Sequence, residues 1–140
     1  MSPPNTGYDS SPTYMISQVA HLAVRNRFVG VLRPERGCSS FHPVLMGREV
    51  SELVIGRQEG LDLSLQDEWV SRRHARIRRI GDEFLLEDLQ SSNGTYVDGV
   101  PIVSCVLRSG DWIQIGRNLF QFEVQLDNAA PVKDLTTWLD

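Results

Sequence analysis

From about Val19 onward, short apolar runs alternate with turn-forming residues: VAHLAV, RFVGVL, FHPVLM, ELVIG, LDLSL, HARIRRI, EFLLEDL, TYV, IQIG and LFQFEV. Most hold only a few residues, are rich in Val, Ile, Leu and Phe, and lack a helix-length 3.6-residue period. The pattern predicts an all-β chain. Asp98-Gly99, between TYV and VPI, has the composition of a two-residue hairpin loop with positive φ at both positions, and Gly81-Asp82 marks a second turn. Many short strands with turn signals at this spacing predict a two-sheet antiparallel β-sandwich, whose loops gather at its two ends. The segment RPERGCSS reads as a loop.

The ends of the chain differ from its middle. Residues 1–18 hold Ser, Pro, Thr, Asn and Gly with little apolar pattern, which predicts a flexible tail. The sandwich is expected over residues 19–127. In residues 128–140, Val132, Leu135 and Leu139 fall on one side of a short C-terminal helix.

Composition narrows the function classes. The 140 residues include 41% hydrophobic residues, with three Trp, five Phe and three Tyr, enough for a packed core. No apolar run approaches the roughly 18 residues of a membrane span, and the N-terminus lacks the order of a signal peptide, so a cytoplasmic location is expected. Cys38 and Cys105 show neither CxxC spacing nor histidines in motif range, which points away from zinc and disulfides. His21, His42 and His74 lie in unrelated contexts, and no nucleophile elbow, HExxH or phosphate-cradling GxxxxGK[ST] is present. The chain reads as a non-enzyme with no cofactor and no metal. The acidic pairs Asp67-Glu68 and Asp82-Glu83, beside turns, read as solvated surface.

Charge is uneven. Formal net charge is -4, yet DEWVSRRHARIRRI, residues 67–80, carries Arg72, Arg73, Arg76, Arg78 and Arg79. Such a strip could serve nucleic acid, a single anion, or only a solvated strand face. A duplex-binding surface spreads many cations over several phosphates, and single-strand binding interleaves aromatics, of which this strip has only Trp69. One local strip in an acidic chain fits a smaller anion better. Within the strand after His74, Ala75, Ile77 and Arg79 share one face and Arg76 and Arg78 the other, so the latter two are expected to face solvent and pair with nearby acids.

Three stretches at predicted strand ends combine turn residues with strong donors: VIGR (54–57), SRRH (71–74) and SSNGTYVDG (91–99). Singly, each has a bland reading as a turn or loop. In this order and spacing they resemble the forkhead-associated (FHA) domain, a phosphothreonine-binding β-sandwich, over roughly residues 20–127. The resemblance implies that Arg57 is the main phosphate ligand, that the Ser71 hydroxyl donates to another phosphate oxygen, and that Arg72 adds charge. It implies that Asn93 holds the backbone of the bound peptide, with Ser92 beside the phosphothreonine. His74 is implied to be structural, Gly56 and Gly94 to allow backbone that a Cβ would obstruct, and Thr95 to complete the motif.

The chemistry agrees with that expectation. A phosphothreonine brings about -1.5 to -2 charges and three acceptor oxygens, so its binder needs planar cations together with hydroxyl and amide donors. The expected partner is a threonine-phosphorylated protein downstream of a Ser/Thr kinase. The domain's own tail is a second candidate, because Thr13 precedes Ile16 and Thr6 precedes Asp9 by three residues, the place by which FHA domains often sort ligands. Binding of nucleic acid or another anion through residues 72–79, and a scaffold role without phosphopeptide, are the alternatives.

Overall fold

The computed structural model describes residues 28–37 and 42–126. The expected tail at 1–18, with Thr6 and Thr13, the expected helix at 128–140, His21 and Cys38 lie outside the described residues. The described chain forms eleven strands: β1 (Phe28–Arg36), β2 (Val44–Met46), β3 (Glu52–Gly56), β4 (Leu63–Ser64), β5 (Ala75–Ile80), β6 (Glu83–Asp88), β7 (Thr95–Val97), β8 (Val100–Ile102), β9 (Ser104–Val106), β10 (Trp112–Ile115) and β11 (Asn118–Leu126). They build one sheet in the order β2-β1-β11-β10-β7-β8 and a second in the order β4-β3-β5-β6-β9.

The core lies between the sheets because alternate residues of each strand face inward. Phe84 and Leu86 of β6, Ile113 and Ile115 of β10, and Phe120 and Phe122 of β11 are all buried. Phe84 and Phe122 join the two sheets edge to face, with ring centroids 5.3 Å apart and planes at 62°. Both predicted hairpins form. At the β7–β8 turn Asp98 and Gly99 have φ of 50° and 83°, the pair of left-handed conformations that a type I′ turn requires.

Two expectations need correction. RPERGCSS is not wholly a loop: Arg33 to Arg36 continue β1 against β11, with a register irregularity between Pro34 and Arg36. β2 pairs only with Gly30–Leu32, so Pro34 stands where one side of β1 has no partner strand, a position that tolerates proline. The sandwich is also not purely antiparallel, because β3 and β4 pair parallel. The chain doubles back within a short loop, where the Asp62 carboxylate accepts the Val54 N–H at 2.8 Å and Ser64 Oγ donates to the Gln58 carbonyl at 2.7 Å. These bonds pin the short connection, and the parallel contact is only two residue pairs long, Ile55 with Leu63 and Gly56 with Ser64.

A candidate phosphopeptide site at one end of the sandwich

Strand pairing brings the three stretches together. β3 runs antiparallel to β5 with Ile55 opposite Ala75, so the end of β3 lies beside the start of β5. There His74 N donates to Ile55 O at 2.8 Å, Arg57 N to Ser71 O at 2.9 Å and Gln58 N to Arg72 O at 3.2 Å. β6 ends beside the same place, with Ala75 opposite Asp88 and Leu89 N donating to His74 O at 2.8 Å. The loop from β6 to β7 then crosses to the other sheet, carrying Ser92, Asn93 and Gly94.

His74 clamps two of these loops. Its ring is fully buried, its Nδ1 accepts the Ser71 N–H at 3.0 Å, and its Nε2 stands 2.8 Å from the Gly94 carbonyl oxygen. An acceptor Nδ1 leaves the proton on Nε2, which donates to Gly94, so a neutral ring satisfies both loops.

Asp88 closes the second loop, a role that the sequence reading missed. Its carboxylate accepts Ser91 N at 3.1 Å, Ser91 Oγ at 2.6 Å and the buried Thr95 Oγ1 at 2.7 Å. Ser91 Oγ in turn accepts Gly94 N at 2.9 Å, and Gly94 takes a φ of 89° to fit this turn. Burial pushes the Asp88 carboxyl up, but the hydrogen bonds from Ser91 and Thr95 together hold it below its ordinary value. The Asp-x-x-Ser spacing was the available signal, since Asp and Ser side chains commonly bond nearby backbone in turns.

The predicted ligands retain unused donors. Arg57 is exposed and anchored by its Nε, which donates to Val70 O at 3.0 Å, so that among the described residues its terminal nitrogens remain for another acceptor. Ser71 Oγ accepts Ser92 N at 3.0 Å, which leaves its own O–H proton to donate. Asn93 Nδ2 donates to Trp69 O at 2.8 Å, leaving Oδ1 and a second amide hydrogen. Arg72 and Ser92 are exposed beside them, and Gly56 packs so tightly under Arg72 that a Cβ would overlap its carbonyl oxygen. All nine sequence-predicted residues thus lie in the three segments that meet at this end.

The arginine strip divides as its alternation predicts. Arg76 Nη2 and Arg78 Nε both pair with Glu87, at 3.0 and 2.8 Å. The hydrogen bond from Arg78, assisted by Arg76, holds the Glu87 carboxyl below its ordinary value. Arg79, on the inward side, stacks its guanidinium 5.0 Å from the Phe84 ring centroid.

Asp67 corrects the expectation of a solvated acidic pair: it is 4% exposed, while its neighbour Glu68 stays at the surface. Its carboxylate accepts Trp69 N at 2.9 Å, Arg117 N at 2.7 Å and Asn118 Nδ2 at 3.0 Å. The contact to Trp69 N is local and legible in the sequence. Those to the turn between β10 and β11 are not, because fifty or so residues intervene. Above this brace lies a hollow of about 350 Å³ lined by Trp69, Asn93, Tyr96, Gly116 and Arg117. Arg117 covers one side of the half-exposed Trp69 ring, 5.8 Å from its centroid, and reaches Glu68 at 3.4 Å.

No group of His, Cys, Asp or Glu among the described residues is arranged to hold a metal ion, and no described helix is long and apolar enough to cross a membrane.

The family model of the FHA domain matches residues 53–116, from β3 to the β10–β11 turn. The FHA domain-containing protein FhaB of Mycobacterium tuberculosis is 32% identical over 120 residues, covering 79% of this chain and 77% of that protein. The chain belongs to the FHA domain family. An oxoglutarate dehydrogenase inhibitor of Corynebacterium jeikeium is 43% identical over 83 residues, 59% of this chain and 56% of that protein. This FHA chain therefore spans little more than half the length of that curated relative. Among solved structures, an FHA domain from a study of phosphothreonine-dependent FHA domain interactions superposes with a TM-score of 0.59. It is 34% identical and the match covers 68% of this chain and 95% of that one.

Proposed function

We propose that this chain is a non-catalytic module that binds a threonine-phosphorylated partner after a Ser/Thr kinase has acted. The observation that carries the reading is the convergence, on one rim, of donors not consumed by the fold: the Arg57 terminal nitrogens, the Ser71 hydroxyl proton and the Asn93 amide. Arg57 and Arg72 neutralise the phosphate, Ser71 donates to a phosphate oxygen, and Asn93 holds the peptide backbone with Ser92 alongside. Gly56, His74, Gly94 and Thr95 set the loops. The hollow beside Asn93, with aromatic walls from Trp69 and Tyr96, receives a further side chain of the same peptide.

The module acts in the cytoplasm and its domain runs over residues 19–127. Nucleic-acid binding through the arginine strip is disfavoured, because Arg76 and Arg78 are already committed to Glu87. Fluorescence polarisation with one peptide in phosphothreonine, phosphoserine and unmodified forms tests the reading. Tight binding of the phosphothreonine form alone is expected, and equal affinity for all three defeats it.

A further inference from the structure

At the other end of β5 the sandwich carries a second collection of donors that the phosphopeptide reading leaves unused. Arg48, Ser51, Arg79 and Gly81 line an open hollow of about 200 Å³. Two elements bring them together. Arg79 N donates to Ser51 O at 2.9 Å, which ties the end of β5 to the residues just before β3. Val50 N donates to Gly47 O at 3.1 Å, closing the turn that presents Arg48. Gly81, at φ 65°, turns the chain from β5 into β6, and its carbonyl accepts Arg79 Nε at 3.4 Å.

The electrostatics of this hollow are those of an anion site. Arg79 lies over the Phe84 ring with its Nη1 buried and its Nε directed at the Gly81 carbonyl, which fixes the guanidinium at the edge of the hollow. Burial pushes the Arg79 guanidinium below its ordinary value, Asp82 draws it back up, and the nearby charge of Arg48 lowers it again. Two guanidiniums therefore line the same hollow, close enough for the charge of Arg48 to act on Arg79. A polyvalent oxyanion relieves their mutual repulsion, and the Ser51 hydroxyl adds a neutral donor.

We propose that Arg48, Arg79 and Ser51 form a second anion site, one that takes a phosphoryl group. β5 spans six residues, roughly 17 Å, and separates this site from the Arg57 rim. The two sites therefore cannot hold the same phosphate. The second one suits another phosphoryl group on the same partner, or one on a different segment. Its existence does not depend on whether the first rim binds phosphothreonine.

The test uses the full chain carrying Arg57→Ala, so that the first rim is disabled, titrated with inorganic phosphate and followed by amide NMR. Saturable shifts at Ser51 and Gly81 are expected, with a midpoint of roughly 1–10 mM. Adding Arg48→Ala should weaken them at least about fivefold, and Arg48→Lys should restore part of the effect. Arg48 is exposed, so neither change threatens the fold. Absence of saturable shifts, or shifts indifferent to Arg48→Ala, overturns the site. A parallel titration with acetate that matches phosphate overturns the assignment to a phosphoryl group. Loss of phosphothreonine binding at the first rim leaves all these readouts unchanged, so the two ideas fail separately.

Discussion

Gly56 lies directly beneath Arg72: a Cβ there would overlap the Arg72 carbonyl oxygen and stand 2.7 Å from its carbonyl carbon and 2.9 Å from Leu61 Cδ1. The obstacle is mostly backbone, and that backbone is already fixed by Gln58 N donating to Arg72 O at 3.2 Å. Gly56→Ala must therefore move residues 71–73 away from Arg57. Phosphopeptide affinity should fall about tenfold or more, with a destabilisation of roughly 1–3 kcal/mol. Isothermal titration and chemical denaturation of the variant check both numbers.

Arg57→Ala separates binding from stability. The side chain is exposed and, among the described residues, its one side-chain bond is Nε to Val70 O at 3.0 Å. Loss of that bond costs about 0.5–1.5 kcal/mol, whereas loss of a charge-assisted fork on a phosphate should lower affinity roughly a hundredfold. Unchanged peptide affinity in a folded variant would remove Arg57 from the site.

His74 should behave in the opposite way. It is fully buried and bonds both Ser71 and Gly94, so His74→Ala strands two polar groups and opens a cavity. A loss of about 3 kcal/mol or more is expected, accompanied by loss of binding. Thermal unfolding should show a clearly lowered midpoint, and a midpoint near wild type contradicts the clamp.

Acid should loosen the loop from β6 to β7. The Asp88 carboxyl is depressed in the folded chain, net of the burial that opposes it. Its stabilising contribution is thus fully present above the ordinary carboxylate value of about 4 and is lost as pH falls through the lower folded value. The stability gap between wild type and Asp88→Asn should be constant near pH 7 and shrink below about pH 4. A gap that stays constant down to pH 2 would show that the carboxylate charge is not what holds Ser91 and Thr95.

Phosphorylation within the tail offers a direct competition test. A kinase-treated full chain should bind an external phosphothreonine peptide more weakly if the tail enters its own rim, or should form larger species if it enters a neighbour's. Thr6→Ala and Thr13→Ala assign the effect to one residue. Unaltered affinity and size after stoichiometric phosphorylation eliminate the tail as a ligand.

The sequence by itself was enough for most of the described strands, though not for β9, and for the three segments that meet at one end of the sandwich. Period-two burial in EFLLED and WIQI, Asp98-Gly99 at a tight hairpin and the spacing of Gly56-Arg57, Ser71-x-x-His74 and Asn93-Gly94-Thr95 are local or motif signals that survive folding. The alternation after His74 likewise separated Arg76 and Arg78 from Arg79, because neighbouring residues of a strand must face opposite ways. What tertiary structure decided were contacts between segments distant in the chain. Asp67, adjoining an exposed glutamate, looked like solvated surface, and only the return of the β10–β11 turn buries it against Arg117 N and Asn118. Pro34 looked like a loop residue until the short reach of β2 left that side of β1 open. Arg48 and Arg79 gave no hint of proximity, since a turn and the pairing of β3 with β5 bring them to one hollow. A linear pattern reports which face a side chain takes, while the neighbour across that face depends on register and on loop paths, which are set by the whole fold at once.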